Sequence, residues 1–211
     1  MHTPDQLVKK VKELANSGLK RTVDKRMWEF EELSQKGNAE WFSELCFCIL
    51  TANGSAQRGI KIQEVIGPEG FLGDSEERLA ARLKGLGHRF PNTRAKFILA
   101  ARKHADVKDR IRDRNSKSAR RWLIEHIKGL GWKESSHFLR NVGYKDVAII
   151  DRHILWIMKE YGLIERVPKS VNRRFYLECE DKLKEMGIKT GLRLAELDLY
   201  LWYMKTGKVM K

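Results

Sequence analysis

The spacing of the apolar residues constrains the fold of this chain more than any other feature of its sequence. These residues recur at intervals of three and four positions, the period of one helix face, rather than alternating as in a half-buried strand. Only four prolines, at positions 4, 68, 91 and 168, interrupt this pattern. We therefore predict an all-α protein with helices at 4–16, 25–35, 38–52, 57–66, 75–84, 92–105, 107–113, 117–128, 132–142, 151–161, 171–186 and 191–206.

Glycine and asparagine mark the ends of most of these helices, because both tolerate the left-handed backbone conformation of a helix C-terminus. The expected stops are Asn53–Gly54, Gly85, Gly129, Gly143, Gly162 and Gly187. The sequence contains no low-complexity segment and no Gly/Ser-rich linker. Any subdomains should therefore share a broad interface rather than hang on a flexible tether.

The balance of charge predicts a polyanionic partner. The 211 residues include 42 Lys and Arg against 28 Asp and Glu, a net charge of +14. Nucleic acid and an anionic membrane surface both fit that charge. No apolar run is long enough to span a bilayer, and the N-terminus has no apolar signal core, so we expect a soluble intracellular protein.

The segment 94–128 carries much of this charge, with twelve Lys and Arg against four acids, a net of +8. We expect it to form much of the basic surface. Acids interleave with bases along RKHADVKDRIRDRNSKSARR, so a solvated helix face with local ion pairs is the alternative for any single residue there.

The cysteines and histidines do not predict a metal site. Cys46, Cys48 and Cys179 are too few and too scattered for a four-thiolate zinc or iron-sulfur site. Cys46 and Cys48 lie in the apolar run WFSELCFCIL, where a free cysteine behaves as a small buried hydrophobe. The six histidines form no H-E-x-x-H pair. We expect neither a thiol- or histidine-bound metal nor an organic cofactor.

The segment SARRWLIEHIKGLGWKESSHFLRNVGY, residues 118–144, is the most informative part of the chain. It predicts two amphipathic helices joined at Gly129, Leu130 and Gly131. Two glycines permit a tight hairpin and leave the amides at the start of the second helix open to a phosphate. A DNA-binding helix-hairpin-helix motif is the prediction, and an ordinary tight turn is the alternative. A second GLG at 85–87 precedes Pro91, so no helix should start directly after it.

Lys133 and Asp151 follow the hairpin as candidate chemical groups. Lys133 lies in the first turn of the second helix, where the positive helix end should favour the neutral amine that a nucleophile needs. A solvated lysine near a phosphate is the alternative. Asp151 should cap the helix that begins with RHILWIMKEYG, and a capping carboxylate at a cleft can also stabilise positive charge on a sugar ring or move a proton.

These residues resemble a known family. G-L-G-x-K, with I-I-D-R-H placing Asp151 eighteen residues after Lys133, resembles the helix-hairpin-helix glycosylase superfamily. KGLGWKESSHFLRNVGY together with IIDRHIL most resembles the archaeal-type (second class) 8-oxoguanine DNA glycosylases, over most of the chain. The resemblance implies that Lys133 is the nucleophile and Asp151 the essential acid. The iron-sulfur cluster of the endonuclease III branch would need four cysteines near the C-terminus, where only Cys179 occurs.

The same resemblance implies a pocket and a DNA-binding surface. Phe90 and Trp202 would sandwich the extruded base and Lys211 would help to recognise it, although ordinary core packing is the alternative for both rings. Carbonyl oxygens of Gly129 and Gly131 could hold a monovalent cation that bridges to a phosphate. The DNA-binding residues are expected to be Asn53, which would fill the gap left by the flipped base, with Gly129, Leu130, Gly131, Arg152 and His153.

The resulting hypothesis is a monomeric bifunctional DNA glycosylase/AP lyase that removes 8-oxoguanine from duplex DNA in base excision repair at the nucleoid. We expect two packed helical subdomains, 1–45 with 146–211 and a helical barrel at 46–145, with the hairpin (118–142) at the cleft between them. Two alternatives stay open: a monofunctional glycosylase for alkylated bases, and a non-catalytic helix-hairpin-helix DNA-binding protein.

Overall fold

The computed structural model describes residues 2–52 and 54–211, so Met1 and the predicted gap-filling residue Asn53 lie outside the described residues. Within those ranges the regular elements are helices and no strand occurs. A short 3₁₀ turn, Arg102–His104, follows α6. The helices are α1 Pro4–Ala15, α2 Leu19–Gln35, α3 Asn38–Thr51, α4 Ala56–Gly73, α5 Glu76–Gly85, α6 Pro91–Ala101, α7 Val107–Ile111, α8 Ser116–His126, α9 Trp132–Asn141, α10 Arg152–Glu160, α11 Arg173–Thr190 and α12 Leu194–Thr206.

This arrangement confirms the predicted all-α class. Several helices begin where a polar side chain precedes an amphipathic run, and its oxygen accepts a backbone amide of the first turn. That bond replaces one of the helical partners that the first amides of a helix lack. These N-caps are Thr3, Ser55, Ser75, Asn115, Asp151 and Asn172.

Local conformation confirms one predicted helix end and contradicts another. The helix predicted to end at 66 kinks at Gly67, where φ is 67°, and then resumes at Pro68 to reach Gly73. The non-helical Gly67 therefore ends the first of two helices, as predicted, and Pro68 begins a second one that was not predicted, because proline is suited to the first turn of a helix. Gly187 does not end α11. The amide of Leu192 donates to its carbonyl at 3.0 Å, and the left-handed residue is Gly191 with φ 74°.

The chain forms two compact units. The terminal unit comprises the residues up to Phe30 together with Gly143–Lys211, and the central unit is Glu31–Val142. Helix α2 begins in the first and ends in the second. The domain bounds expected from the sequence, 1–45 with 146–211 and 46–145, and the cleft between the domains stay predictions.

Helix α3 forms the core of the central unit. From Trp41 to Thr51 every residue of this helix is buried, so it packs on all sides rather than along one stripe. Cys46 and Cys48 are fully buried thiols outside any disulfide, and burial raises the pKa of the Cys46 thiol well above its usual value. The prediction that these cysteines act as small hydrophobes is confirmed.

The core of the terminal unit is formed by α12, which is buried on nearly all sides from Leu194 to Leu201, and by one face each of α1, α10 and α11. Ile154, Leu155 and Met158 of α10 are buried, as their spacing predicts. Cys179 of α11 is also buried, and burial raises the pKa of its thiol to about 11. This unit contains the turn that carries Asp151.

Candidate active site and DNA-binding residues

The predicted hairpin is present in the central unit, where α8 ends at His126 and α9 begins at Trp132. Gly129 has a φ of 97°, a conformation that side chains rarely adopt. A Cβ placed on Gly129 would lie 2.6 Å from Cδ2 of Phe97 on α6, so the turn also rests closely on that ring. Leu130 is buried beneath the turn. The structure therefore explains why glycine stands at position 129.

Gly131 precedes the first turn of α9 as its N-cap and makes no side-chain capping bond. Its carbonyl accepts the amide of Ser135 at 3.0 Å, the first bond of the helix. Because glycine has no side chain to accept the first amides of α9, an anion could approach them directly. Glu134 reaches back toward this end, with Oε2 3.4 Å from the position that a Cβ on Gly131 would take.

The second GLG triplet also joins two helices. Gly85 ends α5, Gly87 has a φ of 75°, and α6 begins at Pro91 with Phe90 as its N-cap. No helix starts directly after the triplet, as predicted, but one starts four positions later because proline is well suited to the first position of a helix.

Lys133 is the second residue of α9, and its side chain is 29% exposed. Its Nζ lies 3.7 Å from Oε1 of Glu134, whose side chain is 17% exposed. Glu134 places a negative charge beside Lys133 that the expectation based on the helix end and on neighbouring Lys and Arg did not include. Glutamate three residues after an N-cap is a recognisable sequence signal, because that position reaches back to the start of the helix.

Arg94 was counted as basic surface in the sequence analysis, but it is 6% exposed. Its guanidinium donates to the carbonyl of Ala52 and lies 5.6 Å from the ring centroid of Phe97. Burial lowers the pKa of Arg94, and the negative charge of Glu134 acts in the opposite direction. Arg94 therefore contacts Ala52 and the Phe97 ring beneath the hairpin. It also interacts electrostatically with Glu134, the neighbour of Lys133.

Arg120 on α8 is also buried, at 2% exposure. Its Nη1 donates to Oγ of Ser136 at 3.1 Å, and its guanidinium lies 5.0 Å from the ring centroid of Trp132 on α9. This contact joins the two helices of the hairpin. Other charges of the 94–128 segment behave as the alternative predicted, in ion pairs such as Arg110 with Asp106 and Arg121 with Glu125.

Asp151 is the N-cap of α10 in the terminal unit. Its Oδ1 accepts the amide of Ile154 at 2.9 Å, which confirms the structural role predicted for it. The carboxylate is half-buried rather than enclosed in the core. Capping therefore leaves a second role for this carboxylate sterically open.

Trp202 and His153 lie together in the terminal unit. The ring of Trp202 packs edge-on against that of His153 at 4.8 Å between centroids. Nε1 of Trp202 is buried without a hydrogen-bond partner in the described part of the chain. A buried donor left unpaired suggests a place for a ligand acceptor. The side chain of Lys211 is half-buried.

Phe90 is more exposed than a core residue, and Arg152 binds backbone carbonyls of its own unit. Phe90 is 38% exposed in the central unit, so the core-packing alternative is wrong for this ring. The guanidinium of Arg89 lies 5.0 Å from its centroid. Arg152 uses its guanidinium within the terminal unit, where Nη2 donates to the carbonyl of Lys169 at 2.9 Å and Nη1 contacts that of Pro168 at 3.4 Å.

None of the helices in the described residues has the length and apolar character needed to cross a membrane. The chain is all-α, and its glycine hairpin leads into a helix with lysine at the second position. These features place it in the class of the helix-hairpin-helix DNA glycosylases. The chain belongs to the 8-oxoguanine DNA glycosylase family, whose model matches residues 23–192.

Named relatives align over nearly their whole lengths. The 8-oxoguanine DNA glycosylase/AP lyase of Methanocaldococcus jannaschii is 53% identical over 97% of this chain and 99% of its own. That of Korarchaeum cryptofilum is 49% identical over 98% of this chain and 99% of its own. The crystal structure of the M. jannaschii enzyme with a 15mer DNA containing 8-oxoguanine matches with a TM-score of 0.95 and 53% identity, covering 98% of this chain and 100% of that one.

Proposed function

We propose that this protein is a bifunctional enzyme of base excision repair that releases 8-oxoguanine from duplex DNA and then cleaves the strand as an AP lyase. The observation that carries the proposal is the 53% identity, over nearly the full length of both chains, to a relative crystallised with DNA containing 8-oxoguanine. Lys133 at the second position of the helix that follows the hairpin supplies the amine that the lyase step requires. With DNA as its substrate, the protein would act at the nucleoid.

The hairpin is the proposed anchor for the DNA backbone. The uncapped first turn of α9 after Gly131 presents amides to a phosphate, and the helix dipole adds to their attraction. Main-chain carbonyl oxygens suit a monovalent cation, and the glycines leave no Cβ beside those of Gly129 and Gly131. These two oxygens would hold such a cation, which would add positive charge next to the phosphate. Leu130, Arg152 and His153 complete the proposed DNA-binding set with Asn53.

The proposed base pocket uses Phe90, Trp202 and Lys211. Extruding the damaged nucleotide costs a few kcal/mol, which stacking on aromatic rings offsets. Phe90 is exposed enough to offer a ring face, and Trp202 offers a buried indole N–H that lacks an acceptor. Lys211 would add a cationic donor for the oxidised base.

The proposed chemistry begins at Lys133. Its neutral amine attacks C1′ of the deoxyribose, a C–N bond forms, and the bond from C1′ to N9 of the base breaks with the electron pair leaving on the base. A proton lost by the amine balances the one that the departing base takes up. The C1′–O4′ bond then breaks as a C=N bond forms, which gives a Schiff base, and β-elimination removes a proton from C2′ and breaks the C3′–O bond to the departing phosphate. Asp151 would stabilise positive charge on the sugar as the base departs.

Borohydride trapping tests this assignment. Borohydride reduces an imine to an amine, so a duplex with 8-oxoguanine should become covalently attached in a one-to-one adduct, while undamaged duplex should not. Lys133→Gln should abolish the adduct and nearly all base release while still binding the lesion duplex. Lys84→Gln removes the same charge from an exposed position at the end of α5, and it should trap like the unaltered protein.

Other outcomes of this experiment would support the alternatives. Base release without trapping would refute the lysine mechanism and favour a monofunctional glycosylase in which Asp151 activates water. Neither trapping nor release on oxidised, alkylated or deaminated bases would favour a DNA-binding protein without catalysis. Mass spectrometry of the trapped species should place the sugar remnant on the peptide that contains Lys133.

A further inference from the structure

The four residues before Asp151 form a buried stretch outside any helix, here called the lead-in segment (residues 147–150). A buried backbone outside helices and sheets must find other partners for its N–H groups, because an unpaired buried amide is costly. Side chains of α11 and α12 fill this need. The amide of Ala148 donates to Glu180 Oε1 at 3.3 Å, that of Ile149 to Asp198 Oδ1 at 3.2 Å, and that of Ile150 to Tyr176 Oη at 3.3 Å.

The three side chains that hold the lead-in segment are among the most buried polar groups of the terminal unit. Glu180 is 1% exposed, Tyr176 1% and Asp198 5%. The Tyr176 hydroxyl also donates to the carbonyl of Ala148 at 2.7 Å, so it binds the segment at two points. Burying two carboxylates in a core is expensive unless they accept hydrogen bonds, and here they accept backbone amides.

Hydrogen bonds continue from these side chains to Asp151. Asp198 accepts the amide of Ile149, and the carbonyl of Ile149 accepts the amide of Asp151 at 2.9 Å. Oδ1 of Asp151 then accepts the amide of Ile154 at the start of α10. Both polar groups of the Ile149 backbone are therefore fixed, and they define the turn from which the Asp151 carboxylate projects.

Helix α12 also holds a second residue of the proposed site. Trp202 follows Asp198 by four positions, so the two side chains lie on the same face of the helix. One binds the lead-in segment before Asp151, and the other packs against His153 two residues after it. A shift of α12 would therefore displace the turn that bears Asp151 and the pocket ring together.

We propose that Asp198, assisted by Tyr176 and Glu180, is a positioning residue that holds the lead-in segment so that the Asp151 carboxylate is fixed in its productive place. The inference rests on the proposed role of Asp151 in base release. It predicts a loss of turnover rather than of DNA binding, because the side chains that hold the segment are buried.

Single-turnover excision of 8-oxoguanine tests the role of Asp198. Asp198→Ala removes the acceptor of Ile149, and we expect the excision rate to fall by about ten- to a hundred-fold, the scale of a misplacement of about 1 Å. Duplex affinity should stay within about two-fold. Asp198→Asn retains a carbonyl oxygen at the acceptor position and should restore most of the rate. Asp181→Ala removes a mostly exposed carboxylate of α11 and is the matched control, which should behave like the unaltered protein.

A double-mutant cycle distinguishes positioning from general damage to the fold. Because Asp198 acts through Asp151, Asp198→Ala should have almost no further effect on the rate in an Asp151→Asn background. Amide hydrogen exchange at Ile149 should accelerate in Asp198→Ala, which reports the freed lead-in segment directly. If Asp198→Ala does not fold, Tyr176→Phe, which removes one oxygen and keeps the ring, takes its place in the same cycle.

Each result separates this inference from the wider proposal. Full activity of Asp151→Asn would overturn the role of Asp151 itself. A slow Asp151→Asn beside folded Asp198→Ala and Tyr176→Phe proteins with unaltered rates would overturn positioning alone. Additive losses in the cycle, or a loss of duplex affinity in place of rate, would also overturn it.

Discussion

At the scale of single residues, burial decides which charges are available to DNA. Arg94 and Arg120 lie in the most basic segment of the chain, yet both guanidinium groups are buried and bind groups within the central unit. Nε of Arg94 and Nε1 of Trp202 are both buried without an acceptor in the described residues, but only that of Trp202 lies beside His153 in the proposed site. A side chain with an unused donor is a better ligand-binding candidate than one whose hydrogen bonds are complete.

Trp202→Phe isolates the contribution of this donor. The variant keeps an aromatic ring and removes the unpaired N–H, so folding should lose little, since leaving a buried donor unsatisfied itself costs about 1–3 kcal/mol. Excision of 8-oxoguanine should slow by about five- to ten-fold, the value of one hydrogen bond to the base. Thermal unfolding and single-turnover excision measure the two effects. Trp202→Ala should be slower still because stacking is lost as well, and wild-type excision by Trp202→Phe would contradict the assignment.

At the scale of elements, the two GLG triplets show how context changes the meaning of one motif. Each joins two helices, but only Gly129 combines a left-handed conformation with contact against a ring, that of Phe97. The corresponding Gly85 is the last residue of α5, and a Cβ there would meet nothing within 4 Å. The same Gly-Leu-Gly sequence therefore has different steric requirements at its first glycine in the two turns.

Gly129→Ala and Gly85→Ala form a matched pair that measures this difference. Gly129→Ala should destabilise the protein by about 1–3 kcal/mol and weaken binding to any duplex, because alanine is strained at positive φ and its Cβ would meet Phe97. Gly85→Ala should be neutral or stabilise by up to about 1 kcal/mol, since alanine favours helix. Denaturant unfolding and duplex titration give both values. Equal effects of the two substitutions would show that the hairpin has no special demand at position 129.

At the scale of the whole molecule, we expect the net charge of +14 to influence the proposed association with DNA more than any single contact does. Neutralising phosphates with Lys and Arg releases counterions, so binding weakens as salt rises. The buried arginines would contribute to the field without touching phosphate, so we expect fewer phosphate contacts than basic residues.

The affinity for undamaged duplex should therefore fall steeply with salt. The slope of log K against log salt should be about −0.9 for each phosphate contacted. Fluorescence anisotropy at several salt concentrations measures it. Lys133→Gln, which removes one of 42 basic residues, should change the slope by no more than about one contact. An affinity that does not depend on salt would remove the basis for expecting a polyanionic partner.

The sequence alone determined the helical class, most helix positions and the hairpin, because these depend on local spacing and on glycine and capping residues. It also determined that Asp151 begins a helix. Its resemblance to a glycosylase family, now established by the family model over residues 23–192 and by relatives that align over nearly the whole chain, led to the proposed function. The helix end at Gly187 was misjudged because a glycine permits a stop without requiring one.

Only the tertiary structure decided which charges are buried and what holds the turn at Asp151. Glu180 and Asp198 look like ordinary polar positions in the sequence, and no periodicity marks them as partners of residues 148 and 149, which precede them by 32 and 49 positions. Such contacts join parts of the chain that are distant in sequence, so they cannot be predicted from local secondary-structure propensity. Whether a polar side chain serves solvent, a backbone amide or a substrate depends on what the packed chain places beside it.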